Sequence, residues 1–403
     1  MATSANNLAE RPLTVVQVVP DLQPGGTVNH AIEIAEALTR LNHRAVIVSE
    51  GGRLQGVAER AGATIIKLPV ATKNPSQIVS NAKKLAELSR DLNADVLHAQ
   101  SRAPAWSCLL AQRISKIPFI ATYDGSFSER SPLKRFYNSV MVRGARVIAP
   151  GERLAKMIEH RYGTAREKIS VVPQAIDFEA FNPANVDPLK RALLANQWGI
   201  APNDRVILLP GRLSRPKAPH ILIEAASRLQ EAGLKDVICI LAGEHPGRSG
   251  YAGEVWDSVH HAGLSDRIRF VGHCEDMLSA YSLADIAVCT SVSQGGHRLA
   301  ILEAQAMGVP VAVSDSENGD EIVRAAPYVS EARATGLLYR AGDAAELAQS
   351  LFKLLAMGGQ ARQAMGVRGR EWIASHFSKE TFAERLLAVY SEVSKQAMLR
   401  AGR

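Results

Sequence analysis

Two successive trains of short apolar runs, each run followed by a longer amphipathic stretch, fill this chain of 403 residues. That repetition restricts the fold more than any single motif does. The first train carries "TVVQVVP", "AVIVS", "TIIKLP", "DVLHA", "PFIATY" and "RVIAP"; the second carries "RVILLPG", "DVICILAG", "RIRFVG", "DIAVCT" and "VPVAVSD". These runs are apolar throughout rather than alternating, as strands are when helices cover both faces of a parallel sheet. Between them lie helical patterns, such as Ile32, Ala35 and Leu38 on one face of "GGTVNHAIEIAEALTRLNH", 25–43, and the stretches 75–93, 103–115 and 131–144. The class is α/β, with two doubly wound, Rossmann-like sheets. A chain this long exceeds one ordinary core. The segment "VVPQAIDFEAFNPANVDPLK", 171–190, breaks the rhythm with three prolines. Domains are therefore expected at 1–180 and 181–378, with a last helix at 379–403 packing back onto the first. Two such sheets are expected to face each other across a cleft at the carboxyl ends of their strands, where ligands bind.

Several function classes are set aside by what is missing. No apolar run approaches the roughly 18–20 residues of a membrane span, and the opening "MATSANNLAERP" has no apolar signal-peptide region. A cytoplasmic protein is expected. The four cysteines, 108, 239, 274 and 289, show no CxxC spacing, and the histidines form no metal-ligand motif. Aromatic residues are only 5% and do not interleave with basic ones, which argues against nucleic acid. Residues 1–180 carry 23 Lys and Arg against 16 Asp and Glu, so the whole net charge of +7 lies in the first half. An anionic partner, either the inner membrane or an acidic acceptor, accounts for this; so does ordinary solubility. The stretch 131–146 mixes Leu133, Phe136, Tyr137 and Met141 with Lys134, Arg135, Arg143 and Arg146, a composition suited to a membrane interface or to a helix buried on the sheet.

Candidate ligand residues follow strands. In "PDLQPGGTVNH", Gly25 and Gly26 open a helix whose N-terminus favours an anion, although the spacing is not a dinucleotide fingerprint. In "LLPGRLSRPKAPH", Arg212 and Lys217 stand between a strand and a helix, placed to hold a diphosphate. The loop Gly272 to Asp276, with His273 and Cys274 and with Met277 just beyond, is placed to read the edge of a nucleobase. Glu303 lies in the first turn of a helix, where a carboxylate can accept two ribose hydroxyls or simply complement the helix dipole.

Taken in order, "VVQVVPDLQPGGTVNHAIEIAEAL", "DVLHAQSRAPAWSCLLA", "PGRLSRPK", "RFVGHCEDM", "LEAQAMGVPV" and "LLYRAGDAAELAQSL" resemble the family 4 glycosyltransferases of the GT-B fold. "HAQSRAPAW" and "EAQAMG" look most like the bacterial members that build lipopolysaccharide core and related envelope glycans. The resemblance implies a nucleotide-sugar donor, linked to UDP, GDP or ADP, with no separate cofactor and no metal. It implies a glycan or lipid-linked acceptor and retention of anomeric configuration. Arg212 and Lys217 would hold the diphosphate, Glu303 the ribose, and Gly25 and Gly26 the phosphate and acceptor side.

Three positions depart from that pattern. Gly295 stands where the family has a first glutamate that contacts the donor sugar. Asp124, in "TYDG", stands where a histidine is common near the reacting sugar. Glu317 and Asn318 replace a glycine pair. All three lie at the sugar end. The sequence thus leaves two readings: a transferase with a rewritten sugar pocket, or a nucleotide-binding protein of this fold with weak or no catalysis that acts as a partner in glycan assembly.

Overall fold

The computed structural model describes residues 11–125, 127, 131–244, 250–292, 299–317 and 319–401. It divides into two compact units, one formed by Met1–Gln174 with Glu380–Arg403 and the other by Ala175–Lys379. The division falls inside the proline-rich stretch, a few residues before the expected boundary at 180.

In the first unit the described order is β1 (Thr14–Val18), α1 (Gly26–Arg40), β2 (Arg44–Ser49), α2 (Gln55–Arg60), β3 (Thr64–Lys67), α3 (Pro75–Asp91), β4 (Val96–Ala99), α4 (Arg102–Ser115), β5 (Phe119–Thr122), α5 (Pro132–Asn138), β6 (Arg146–Ala149), α6 (Glu152–Tyr162) and β7 (Ile169–Val171). All strands run parallel in the spatial order β3-β2-β1-β4-β5-β6-β7. The order reverses between β1 and β4, where Gln17 pairs with His98.

The buried face of α1 is Val28, Ala31, Ile34, Ala35 and Leu38; Ile32, expected on it, is only half-buried. The helical stretch expected over 131–144 is shorter. α5 gives way to a 3-10 turn at Ser139–Val142. Met141 and Arg146 lie inside the unit, and Arg146 bonds the Glu167 carbonyl and the Glu392 carboxylate.

The second unit contains α7 (Pro188–Gln197), β8 (Arg205–Pro210), α8 (His220–Glu231), β9 (Val237–Ala242), α9 (Gly250–His261), β10 (Ile268–Gly272), α10 (Met277–Leu283), β11 (Ile286–Cys289), α11 (Leu299–Ala306), β12 (Val311–Ser314), α12 (Gly319–Ile322), β13 (Gly336–Tyr339), α13 (Ala344–Ala356) and α14 (Gly359–His376). Its parallel sheet has the order β10-β9-β8-β11-β12-β13, reversing between β8 and β11. Successive residues of β8 enter opposite cores. Ile207 and Leu209 pack with Leu222, Leu347 and Leu351, while Val206 and Leu208 pack with Tyr281, Leu302 and Phe377. Each such side chain contributes about 1.5–3 kcal/mol on burial, against tenths of a kcal/mol from intrinsic propensity, so two-sided burial is what holds the strands.

A single helical stretch is expected near 343–375. It is two helices, because Gly358 at φ +75° ends one and opens the next. α15 (Lys379–Ala401) then returns to the first unit. Phe382, Leu386, Val389, Tyr390 and Val393 are its buried stripe, at helical spacing.

Candidate functional site

The carboxyl ends of β8 and β11 meet where the strand order of the second unit reverses, the place where open α/β sheets bind ligands. The chain is crowded there. Gly211 leaves β8 at φ +133°, and its N–H donates to the Ala242 carbonyl at 2.8 Å. A Cβ on Gly243 would lie 2.0 Å from the Gly211 oxygen, so the two backbones cross with no room for a side chain. The chain then makes a 3-10 turn at Arg215–Lys217, closes through Ala218 at φ +45°, and enters α8. This turn carries Lys217 back across Gly211. A pocket results, lined by Gly211, Arg212, Lys217, Thr290, Ser291 and Ala300 among others.

Its far wall is pinned by polar contacts. Thr290 Oγ1 donates to the Lys217 carbonyl at 2.7 Å, and Val292 N–H donates to the Pro216 carbonyl at 3.0 Å. Tyr339 OH donates to the Cys289 carbonyl at 2.9 Å, and Ser314 and Ser316 hydroxyls donate to the Ser291 carbonyl at 2.6 and 2.5 Å. Buried carbonyls left unpaired are costly, so these bonds fix both the wall and the basic turn it touches.

The cations differ in their engagement. Arg215 is taken up by Glu254, at 2.7 and 2.9 Å, and lies over the Tyr251 ring. Arg212 is exposed and has no hydrogen-bond or ion-pair partner among the described residues.

Glu303 lies three residues beyond Ala300 on α11. Tyr281, wholly buried on α10, reaches both, with its hydroxyl 2.8 Å from Glu303 Oε2 and 3.0 Å from the Ala300 carbonyl. Burial lifts the Glu303 carboxyl above the ordinary carboxylate range, and the hydroxyl bond acts against that lift. Burial likewise pushes the Tyr281 phenol well above its usual range, helped by Glu303 and by Cys274 and Cys289 nearby.

Cys274 belongs to the candidate base-reading loop. It is half-buried with its thiol pushed up, by burial first, and both it and Met277 pack against the same core. His273 is exposed. Gly272 turns the chain at φ +70°, and Asp276 caps α10 by accepting from Ser279 N–H at 3.0 Å. Tyr281 therefore ties the carboxyl to Ala300, which lines the same pocket as Arg212 and Lys217. Gly295 and Asn318 lie outside the described residues, and Glu317 ends a short 3-10 turn after β12.

In the first unit, a Cβ on Gly25 would meet nothing nearer than 3.9 Å. Nothing in the fold of this unit requires a glycine there, and the space before α1 is open. Thr27, in the first turn of α1, donates to Asp124 Oδ2 at 3.4 Å, which brings the glycine pair and Asp124 to one place.

Sequence reasoning missed Tyr281. It reads as an apolar-face residue of a short helix, and nothing nearby announces what its hydroxyl meets. Also missed were the hydroxyls that pin Cys289 and Ser291, and the buried His98 between Tyr390 and Thr122, each at 2.8 Å.

Residues 24–180 match the family model described as Glycosyltransferase Family 4, and residues 204–357 match the one described as Glycosyl transferases group 1. The chain belongs to the family 4 glycosyltransferases of the GT-B fold. This family 4 chain is 30% identical over 256 residues to a D-inositol 3-phosphate glycosyltransferase of Nocardia farcinica, an overlap of 62% of the chain and 53% of that protein. The match thus spans about half the length of that relative. The crystal structure of a glycosyltransferase from Rickettsia africae superposes with a TM-score of 0.85 at 26% identity, covering 95% of this chain and 99% of that one. HepE of Anabaena, solved in complex with UDP, has a TM-score of 0.80 at 21% identity, covering 94% and 100%, a likeness of fold alone.

Proposed function

We propose that this protein is a retaining, metal-independent glycosyltransferase that moves a sugar from a nucleotide-sugar donor to an envelope glycan or lipopolysaccharide core acceptor. One observation carries the reading: Arg212 and Lys217 line one pocket at the strand reversal of the second unit together with Ala300 and Ile301, at the start of the helix that carries Glu303. Arg212 and Lys217 hold the donor diphosphate. As the glycosidic bond loosens and charge builds on the leaving diphosphate, the two cations stabilise it in place of a metal. Glu303 accepts the ribose hydroxyls, and the loop of His273, Cys274 and Met277 reads the base. In the first unit, Gly25 and Gly26 leave room for the phosphate and acceptor side, and Asp124 stands near the reacting sugar. UDP, GDP and ADP donors all suit such a pocket; UDP, bound by HepE, is the first to try.

The acceptor assignment rests on "HAQSRAPAW" and "EAQAMG". It places the protein at the inner face of the cytoplasmic membrane. α5 supports such a contact, because Leu133 is 77% exposed and Phe136 54% exposed, with Lys134 and Arg143 close by. Arg143 lies over Phe136 at 4.8 Å and over Trp106 at 5.5 Å. Among the described residues no helix is long and apolar enough to cross a membrane.

The departures at Gly295, Asp124 and Glu317 favour a second reading, a nucleotide binder with little or no turnover. Incubating the protein with nucleotide sugars, with and without acceptor glycans, and weighing the products separates the two. Transfer with a strong preference for one nucleotide sugar over its bare diphosphate supports the enzyme; equal affinity for the two and no product supports the binder. In the binder, Gly295→Glu should tighten only the nucleotide sugar, by roughly tenfold or more.

A further inference from the structure

The second sheet ends at β10, and a pocket opens to solvent beside that terminal strand. Its volume of about 330 Å³ falls in the range of small-ligand sites, and it shares no residue with the pocket that holds Arg212. Two of the chain's four tryptophans, Trp198 and Trp256, line it together with Phe270. Aromatic side chains are scarce in this protein, so their meeting at one open pocket points to a ligand that suits them.

Side chains alternate along β10, so the lining comes from both faces of the sheet edge. On one face Phe270 packs on the core that contains Leu222 and Val255, and the Trp256 ring of α9 stacks on it, with centroids 4.0 Å apart and planes at 18°. Both rings are only half-buried. On the other face Trp198, at the end of α7, is buried in the core that contains Tyr281. Arg269 runs beside it, its Nε 3.9 Å from where a Cβ on Gly199 would stand. The Arg269 guanidinium uses one N–H on the Ser265 carbonyl at 3.3 Å and meets no carboxylate among the described residues. The side chains of Gln197 and Ser265 are exposed and make no hydrogen bond among those residues.

A sugar ring matches this lining on both counts. Its C–H groups carry slight positive charge and pack on the negative face of an aromatic ring. Its hydroxyls both donate and accept, as the free amide of Gln197 and the hydroxyl of Ser265 do, while Arg269 adds donors. A nucleotide fits less well, because Arg269 is the one cation of the lining and a diphosphate calls for more. We propose that this pocket is a second carbohydrate site, which holds one sugar ring of a glycan apart from the strand reversal. The proposal goes beyond the transferase reading, since it needs neither Arg212 nor Glu303. Within that reading, a glycan held by one of its sugars raises the effective concentration of the rest of its chain at the protein.

Saturation-transfer NMR on the whole protein tests this, because it detects weak sugar binding. The probes are the methyl glycosides of glucose, galactose, mannose and N-acetylglucosamine, and a lipopolysaccharide core oligosaccharide freed of its lipid. At least one should bind, and excess UDP should not displace it. Arg269→Gln should weaken that probe roughly tenfold, Gln197→Ala roughly threefold, and Trp256→Leu, which keeps an apolar side chain, roughly threefold or more. Gln197 is exposed at a helix end, so its variant should keep the urea midpoint of wild type, and a fall in affinity there is not a loss of fold. Arg212→Ala, which strikes the nucleotide reading, should bind the probe as wild type does. Binding of none of the probes would overturn the inference. So would displacement by UDP, loss in Arg212→Ala, or wild-type affinity in all three pocket variants, since each puts the sugar elsewhere.

Discussion

Arg212 and Lys217 line the pocket, whereas Arg215, the other cation of their turn, is held by Glu254, and among the described residues Arg212 has no carboxylate partner. A charge-assisted hydrogen bond is worth about 1.5–3 kcal/mol, so Arg212→Ala and Lys217→Ala should each weaken nucleoside diphosphate binding roughly tenfold or more. Unchanged calorimetric affinity in both variants would remove them from the site. Gly243 is tested differently, because it contacts no ligand in this reading. A methyl there would collide with the Gly211 oxygen, and overpacking of this kind costs about 1–3 kcal/mol. Gly243→Ala should therefore lower the urea midpoint and displace the turn that carries Arg212. A variant as stable as wild type, with wild-type affinity, would show that the crossing has slack.

At the scale of elements, α15 and α5 depend on different physics. α15 is held to the first unit by an apolar stripe and by polar contacts, buried Tyr390 with His98, buried Ser394 with Asp95 at 3.1 Å, and exposed Glu392 with Arg146. Tyr390→Phe keeps the ring and strands a buried ring nitrogen, so a loss of about 1–3 kcal/mol is expected in chemical unfolding. α5 instead presents apolar side chains to solvent. If it docks on an anionic leaflet, Leu133→Ser with Phe136→Ser should reduce co-sedimentation with anionic vesicles, as should high salt. Equal pelleting with neutral vesicles would rule out an electrostatic dock.

The whole molecule should show a pH dependence traceable to one residue. Burial lowers the His98 pKa from 6.5 to about 3, with His30 adding to the effect. Between those values the unfolded chain binds a proton that the native chain excludes. Stability from this source is complete above pH 6.5 and drains away as pH falls toward 3. By about pH 5 the loss should reach roughly 2 kcal/mol. Urea unfolding at the two ends of this range, in wild type and in His98→Gln, checks it. The substitution should flatten the dependence, and equal losses in both proteins would assign the effect to other groups.

Much of this molecule was legible without coordinates. Apolar runs such as "RVILLPG" and "DVICILAG" specify strands buried on two faces, because hydrophobic burial is non-directional and needs only the right residue types at the right period. Strand-to-helix junctions such as "GRLSRPK" are equally local, being set by glycine, proline and the polarity around them. Extent was less legible. The buried face of α1 shifts away from Ile32, and α5 stops well short of the expected stretch, because the neighbours in space rather than the period decide which side is covered. The pairings were illegible: Tyr281 with Glu303, Ser314 and Ser316 with Ser291, Tyr390 with His98 nearly three hundred positions away. A hydroxyl's partner is chosen by direction over a few ångströms, and that choice exists only once the sheet order has brought distant segments side by side. The sequence alone therefore determined which residue types stand at the strand ends. The tertiary structure decided which of them meet, because hydrogen bonds depend on geometry that no linear spacing encodes.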